Sequence, residues 1–223
     1  FERLPEYEGD RWTYALGVDL GWHDATGFVL TCTRRNHPEI YVVAAWKEQH
    51  LTTPKIAAEI LRTIAKPPVD WLPQYRLTNI VVDTAAGGKI ISEDLRQHYG
   101  IPCTPAQKPA KLTQIHNVRG MLMAGTLLLY EPTTEQLITE MSVLPWNDER
   151  SDHHERFLDD LCDPLLYSSR EHSQLYKPEE ELPKHGTTER INYDAALAKK
   201  AAMAQAAKNA RGVGRKWYQQ RGR

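Results

Sequence analysis

The sequence predicts an α/β domain on a mixed sheet, three antiparallel strands followed by parallel strands, flanked by helices. Three observations carry this prediction. Three apolar, β-branched runs follow one another within the first 46 residues, with only short polar breaks between them. Helical periodicity then alternates with further short apolar runs, the order that builds parallel strands through crossover helices. One of those later runs is apolar throughout, as strands buried on both faces are.

Residues 14–20 (YALGVDL) and 26–33 (TGFVLTCT) read as strands, and Gly21-Trp22-His23-Asp24 between them as a hairpin turn. Residues 39–46 (EIYVVAAW) form a third strand after the turn signal Asn36-His37-Pro38, so the sheet opens as a three-stranded meander. Helical spacing begins at Thr53, read as an N-cap with Pro54 at the first helical position. Ile56, Ile60, Leu61 and Ile64 share one face before Lys66-Pro67-Pro68 ends the helix. Residues 79–83 (NIVVD) make a central strand, and a helix over 89–99 closes at Gly100. Residues 101–106 form a strand, and 109–124 a helix that begins at proline and stops at Gly125. Residues 127–130 are another strand, and Thr133-x-x-Gln136 is a capping box for a helix that Pro145 stops. After a loop over 144–154, Phe157, Leu158, Leu161, Cys162, Leu165 and Leu166 recur at helical spacing. The core pattern then fades. Residues 1–176 read as one domain, 177–194 as a linker rich in proline and charge, and 195–223 as an alanine-rich, helix-prone basic tail.

A chain of 223 residues, 41% hydrophobic and 26% charged, can bury one substantial core, which excludes a disordered polymer. Its net charge of -1 neither requires nor excludes a polyanionic partner. The distribution is uneven: eight of the 28 basic residues and none of the 29 acids fall in 195–223, which leaves an acidic body and a basic tail. The longest apolar runs, such as 121–130, fall short of the roughly 20 residues that span a bilayer, and no signal segment opens the chain, so a soluble protein is expected. Cys32, Cys103 and Cys162 are scattered singly, which argues against a disulfide framework or a cysteine zinc site and fits a reducing cytoplasm. A chain that starts at Phe1 rather than Met reads as a piece of a longer polypeptide or a processed product.

Several acids stand where an α/β sheet gathers function. Asp19 ends the first strand, Asp83 ends the fourth, and Asp160 and Asp163 lie on the last core helix. A right-handed crossover makes the first and fourth strands parallel neighbours, bringing Asp19 and Asp83 to one sheet edge. Carboxylates a few ångströms apart repel unless a divalent cation lies between them, and carboxylates with water are the ligands that Mg²⁺ and Mn²⁺ prefer. Two such ions about 3.5–4 Å apart can hold the attacking and leaving oxygens of a phosphodiester. Taken singly, each acid also fits a plainer role. A lone Asp at a strand end commonly serves a turn or a helix cap, and Asp159, Asp160 and Asp163 fit a solvated helix face. What sets two of them apart is that Asp19 interrupts an apolar strand and Asp83 terminates one.

Lys108, Lys111 and Arg119 fall along one helix and its entry loop, either as point charges for a phosphate backbone or as a solvated face. Lys89 closes Ala85-Ala86-Gly87-Gly88-Lys89, an ordinary strand-to-helix turn or a loop whose amides can hold phosphate. The GxxxxGK[ST] spacing of a P-loop occurs nowhere in the chain, so ATP hydrolysis by that mechanism is not expected. His153-His154 lacks the companions of a zinc site and reads as a polar loop bordering the acids, or else as a second-sphere partner or general acid.

This order of elements, with acids on strand one, strand four and the last core helix, resembles the ribonuclease H-like fold. The stretches 17–22 (GVDLGW), 82–84 (VDT), Lys108-Pro109 with Lys111, 121–127 (MLMAGTL) and 159–167 (DDLCDPLLY) narrow it further. Over residues 13–171 they resemble the nuclease domain of the terminase large subunits of tailed bacteriophages. The resemblance implies a metal-dependent endonuclease that cuts double-stranded viral DNA concatemers during genome packaging. It implies a two-metal site for Mg²⁺ or Mn²⁺, with Asp19 bridging both ions, Asp83 binding one, and Asp163, with Asp160 one turn earlier, completing the set. It further implies DNA contacts from Lys89, Lys108, Lys111 and Arg119, the portal and the small terminase subunit as partners, an ATPase domain upstream of this piece, and the host cytoplasm as compartment. The basic tail stays open between DNA and portal.

One position departs from the family, whose residue after the last Asp is usually small: here it is Pro164. In an unbroken helix Asp160 and Asp163 face the same way. If Pro164 instead starts a new helix, Asp163 caps it and Asp160 becomes the ligand. The family match favours Asp163. Other readings use the same residues. A Holliday-junction resolvase or transposase-like nuclease would turn the same acids on another DNA structure. A sugar-kinase or actin-like ATPase shares Asp-x-Gly on its first strand but needs a second similar lobe, and the sequence shows no repeat. A non-catalytic docking module would work through the basic tail, its acids being structural.

Overall fold

The computed structural model describes residues 1–5, 11–21, 24–85, 87–108, 110–145 and 159–173, with seven further positions between 188 and 199. The chain divides into two units, Phe1–Pro178 and Glu179–Arg223. In the second unit the described residues are helical and exposed.

In the first unit β1 (Trp12–Asp19), β2 (Ala25–Arg34) and β3 (Ile40–Gln49) form the expected antiparallel meander, with Asp19 opposite Gly27. After α1 (Thr53–Ala65), β4 (Leu77–Val82) lies parallel to β1 with Val82 opposite Val18, as the crossover rule requires. Then α2 (Gly88–Tyr99) leads to β5 (Cys103–Pro105), parallel to β4. α3 (Lys111–Ala124) leads to β6 (Leu127–Leu129), which pairs parallel with β3 at the other edge. α4 (Glu131–Val143) and α5 (Cys162–Ser173) complete the unit, and the sheet order is β5-β4-β1-β2-β3-β6. This is the ribonuclease H-like arrangement. No helix among the described residues is long and apolar enough to cross a membrane.

The sheet is covered on both faces. Strand residues alternate between faces, so Tyr14, Leu16, Val18, Ile80 and Val82 pack with Ile56 and Ile60 of α1 and Leu95 of α2. Val29, Val42 and Val81 pack on the other side with Ile115 and Val118 of α3, Leu137 of α4, and Leu161, Leu165 and Leu166. By the same alternation Asp19 follows Gly17, and Asp83 follows Val81, onto the α5 face. The chain closes α2 and α3 at Gly100 and Gly125 with φ of 66° and 68°, left-handed positions where glycine avoids the Cβ clash.

Two local expectations are corrected. The N-cap of α1 is Thr52 rather than Thr53, and Leu61 is 42% exposed while Thr63 faces inward. The capping box does not form: α4 already starts at Glu131, with Pro132 in its first turn where a missing N–H costs nothing. The Thr133 hydroxyl instead donates to the carbonyls of Val43 at 2.6 Å and Tyr130 at 3.3 Å. Pro109, His153, His154, Phe157 and Leu158 lie outside the described residues.

Candidate active site

Asp19 and Asp83 stand side by side because β1 and β4 are adjacent and parallel: the Asp83 amide donates to the Val18 carbonyl at 3.0 Å. Asp163 arrives from α5, which crosses the same strand ends. Its approach depends on glycine, since a Cβ at Gly17 would run into the carbonyl of Pro164, and one at Gly27 into the carbonyl of Asp160. Pro164 is the third residue of α5, within the first turn, where backbone N–H groups have no intrahelical acceptor. It therefore neither breaks the helix nor makes Asp163 its cap.

The electrostatics join these acids. Burial, reinforced by the negative charges of Asp163, Asp83 and Asp159, pushes the Asp19 carboxyl up to about 8, with Lys108 pulling the other way. Among the described residues the Asp19 carboxylate has no hydrogen bond or ion pair. Its neighbours are held. Asp83 accepts from the Ala85 amide through Oδ1 at 2.9 Å and from Lys108 Nζ through Oδ2 at 2.7 Å. Asp163 pairs with Lys111 Nζ at 2.9 Å, with Asp159 3.8 Å from the same ammonium. The Tyr167 hydroxyl donates to Asp163 Oδ2 at 3.2 Å. Burial first, then the charges of Asp163, Asp19 and Asp83, raises that phenol above the ordinary tyrosine value.

Asp160 goes elsewhere. Buried like Asp163, it accepts from Lys47 Nζ at 2.9 Å, and the same ammonium reaches Glu140 Oε2 at 3.0 Å. Burial pulls Lys47 down, but the hydrogen bonds from Asp160 and Glu140 prevail and hold the ammonium above its ordinary range. The four predicted basic residues also separate. Lys108 and Lys111 touch the acids. Lys89, in the first turn of α2, and Arg119, two turns along α3 from Lys111, are exposed and pair with no acid among the described residues. Sequence reasoning missed Lys47, Glu140 and Tyr167. The available signal for Glu140 was its place three residues after Leu137, on the inward face of α4.

No group of three or more His, Cys, Asp or Glu among the described residues is arranged to hold a metal ion as it stands. A hard divalent cation does not need three protein ligands, because Mg²⁺ commonly takes one or two carboxylates and completes its shell with water and phosphate. The donor chemistry fits such an ion: oxygen donors only, a half-buried carboxylate raised by like charges, and two lysine ammoniums already drawn onto its neighbours.

The fold is shared with solved structures of large terminases and their nuclease domains. The large terminase of the thermophilic bacteriophage D6E superposes with a TM-score of 0.58 at 19% identity, covering 79% of this chain and 43% of that one. The nuclease domain of the P22 large terminase gives 0.59 at 14% identity over 77% of this chain and 87% of that one. The nuclease domain of the SPP1 large terminase, solved with bound Mn, gives 0.53 at 14% identity over 72% and 86%. The chain thus spans less than half of the D6E terminase and most of each isolated nuclease domain. The likeness establishes the terminase nuclease fold. No protein-family model and no curated protein sequence matches the chain.

Proposed function

We propose that this chain is a divalent-metal-dependent endonuclease of the terminase large-subunit type, cutting double-stranded viral DNA concatemers during genome packaging. The observation that carries the reading is the half-buried Asp19 carboxylate, flanked by Asp83 and Asp163 at the ends of the β1–β4 pair, in a fold shared with terminase nuclease domains. Asp19, Asp83 and Asp163 are the residues that would hold the ions. Mg²⁺ or Mn²⁺ bound there would supply the positive charge that activates water and stabilises the leaving 3′ oxygen. The carboxylates position charge and do not themselves transfer protons. Tyr167 orients Asp163 through its hydroxyl. Asp160, committed to Lys47, is left out of the ligand set. Lys108 and Lys111 stand beside the acids on flexible stems, within reach of a phosphate backbone, and Lys89 and Arg119 extend the same contact.

On this reading residues 1–176 are the nuclease domain, 177–194 a linker and 195–223 a docking tail for DNA or the portal. The partners are the portal, the small subunit and an ATPase domain upstream, in the host cytoplasm. The test is incubation with supercoiled plasmid in EDTA, Mg²⁺ and Mn²⁺. Nicking and linearisation in either metal, and none in EDTA, is the expected result. An intact plasmid in both metals would overturn the reading in favour of a docking module that works through its basic tail.

A further inference from the structure

Glu140 closes α4 with a carboxylate that is 6% exposed, in a cluster the proposed cleavage does not use. Its Oε1 accepts the backbone N–H of Leu161 at 2.7 Å and of Cys162 at 2.9 Å. Its Oε2 meets Lys47 Nζ, which also holds Asp160. The first N–H groups of a helix lack intrahelical acceptors, and a carboxylate there both satisfies them and complements the helix dipole. Such caps ordinarily come from the residue just before the helix. Here the cap for α5 comes from a residue 21 positions away in sequence.

Lys47 reaches the cluster through an irregularity in β3. The register against β2 shifts between Leu30 and Thr31, leaving Val43 as an extra residue, so Ile40 and Val42 before the bulge and Ala45 after it face the same helices. Lys47 continues that face. Beneath the cluster, Gly27 admits the Asp160 backbone onto β2. Three separate elements therefore fix where α5 begins, and Asp163 is the residue that follows Cys162.

We propose that Glu140 is a positioning residue for the candidate site: by capping α5 from the end of α4 it holds the first turn of α5, and with it Asp163, against Asp19. The functional consequence rests on the metal-site reading above. The test uses the full chain as wild type, Glu140→Gln and Glu140→Leu. Mn²⁺ affinity is measured by calorimetry, and amide exchange at Leu161 and Cys162 is measured without metal. The Gln amide oxygen can accept the same two N–H groups, while its NH₂ loses the bond from Lys47, which keeps Asp160; Glu140→Gln should therefore retain amide protection and keep Mn²⁺ affinity within about threefold. Glu140→Leu should lose about tenfold or more in Mn²⁺ affinity, the range seen for partners one step removed from a metal, and should lose protection at both amides. Wild-type Mn²⁺ affinity in Glu140→Leu would overturn the proposal, as would equal losses in both variants. A wild-type chain that binds no Mn²⁺ refutes the metal reading alone. Exchange in the same metal-free protein then decides the cap, with unchanged protection in Glu140→Leu overturning it and lost protection upholding it. If circular dichroism shows Glu140→Leu unfolded, Lys47→Met replaces it. A smaller loss of Mn²⁺ affinity in that variant supports the proposal, and no loss overturns it.

Discussion

Asp19 and Asp160 are both acids of the candidate region, and their surroundings are opposite in charge. Asp19 is half-buried among like charges and, among the described residues, has no cation paired with it, an arrangement that costs stability and is the common signature of a site kept for function. Asp160 is buried against Lys47. We expect Asp19→Asn to abolish metal-dependent plasmid cleavage while raising the melting midpoint in EDTA, by about 5 °C for a chain of this size. A midpoint at or below wild type would show that the repulsion is already relieved. Asp163→Asn should lose cleavage as Asp19→Asn does. Asp160→Asn should instead lower the midpoint by a few °C and retain most cleavage, because it removes one of the two carboxylates that Lys47 holds and leaves the ammonium to Glu140 alone. Comparable cleavage loss at 160 and 163 would return Asp160 to the ligand set. Asp19 and Asp83 were legible in the sequence because strand ends can be read from apolar runs. The choice between Asp160 and Asp163 was not, because it depends on where α5 starts, and that is set by Glu140 and Lys47 from elsewhere in the chain.

At the level of the helix, α5 is seated by what the sheet lacks. Gly27→Ala would place a methyl group against the Asp160 carbonyl and should cost about 3 kcal/mol in denaturant unfolding, because backbone on both sides leaves nothing flexible to yield. Gly120, mid-helix in α3 with no atom within 4 Å of the point a Cβ would occupy, is the control: Gly120→Ala should be neutral or stabilise by up to about 1 kcal/mol. Near the other end of α5, His172 is fully buried on β2. Its Nε2 lies 2.9 Å from Thr31 Oγ1, and its Nδ1 has no partner. The Thr31 hydroxyl donates to the Ala15 carbonyl at 3.3 Å and can accept from Nε2–H; that bond favours the charged ring, and burial outweighs it. Burial pushes the ring down to about 4 from 6.5. As pH falls below 6.5 the unfolded chain gains a proton that the folded chain refuses until about 4, so this group's contribution is lost across that window. Asp19, raised in the folded state, works in the opposite direction over the same range. The comparison is therefore between wild type and His172→Gln, and between pH 7 and pH 4 wild type should lose up to about 3 kcal/mol more than the variant. Parallel stability curves would show that the ring is already accessible to protons.

For the whole molecule, a net charge of -1 means that the DNA affinity of the proposed reading must come from local cations. Lys108→Ala and Lys111→Ala should each reduce the salt dependence of DNA binding by about one ion, with little change among DNA sequences. An unchanged slope would confine both lysines to pairing with Asp83 and Asp163. Removing residues 179–223, the second unit, should leave the melting midpoint within about 3 °C. A loss above about 10 °C would show that the tail contributes to the core.

The meander, the parallel strand that follows it and the helices closed at Gly100 and Gly125 are written into the order of residues, because apolar period and left-handed glycine are local properties of a few neighbours. The meeting of Asp19 and Asp83 is written there too, since the handedness of a crossover follows from the twist of the strands. Folding in three dimensions was needed to seat Lys108 and Lys111 on these acids and to bulge β3 at Val43 so that Lys47 turns toward α5. It was also needed for Glu140 to cap a helix 21 residues further on, and for Asp163 rather than Asp160 to lie beside Asp19. These are contacts between distant segments, and their energy depends on register, burial and the shape left by missing side chains. No run of neighbouring residues encodes those quantities.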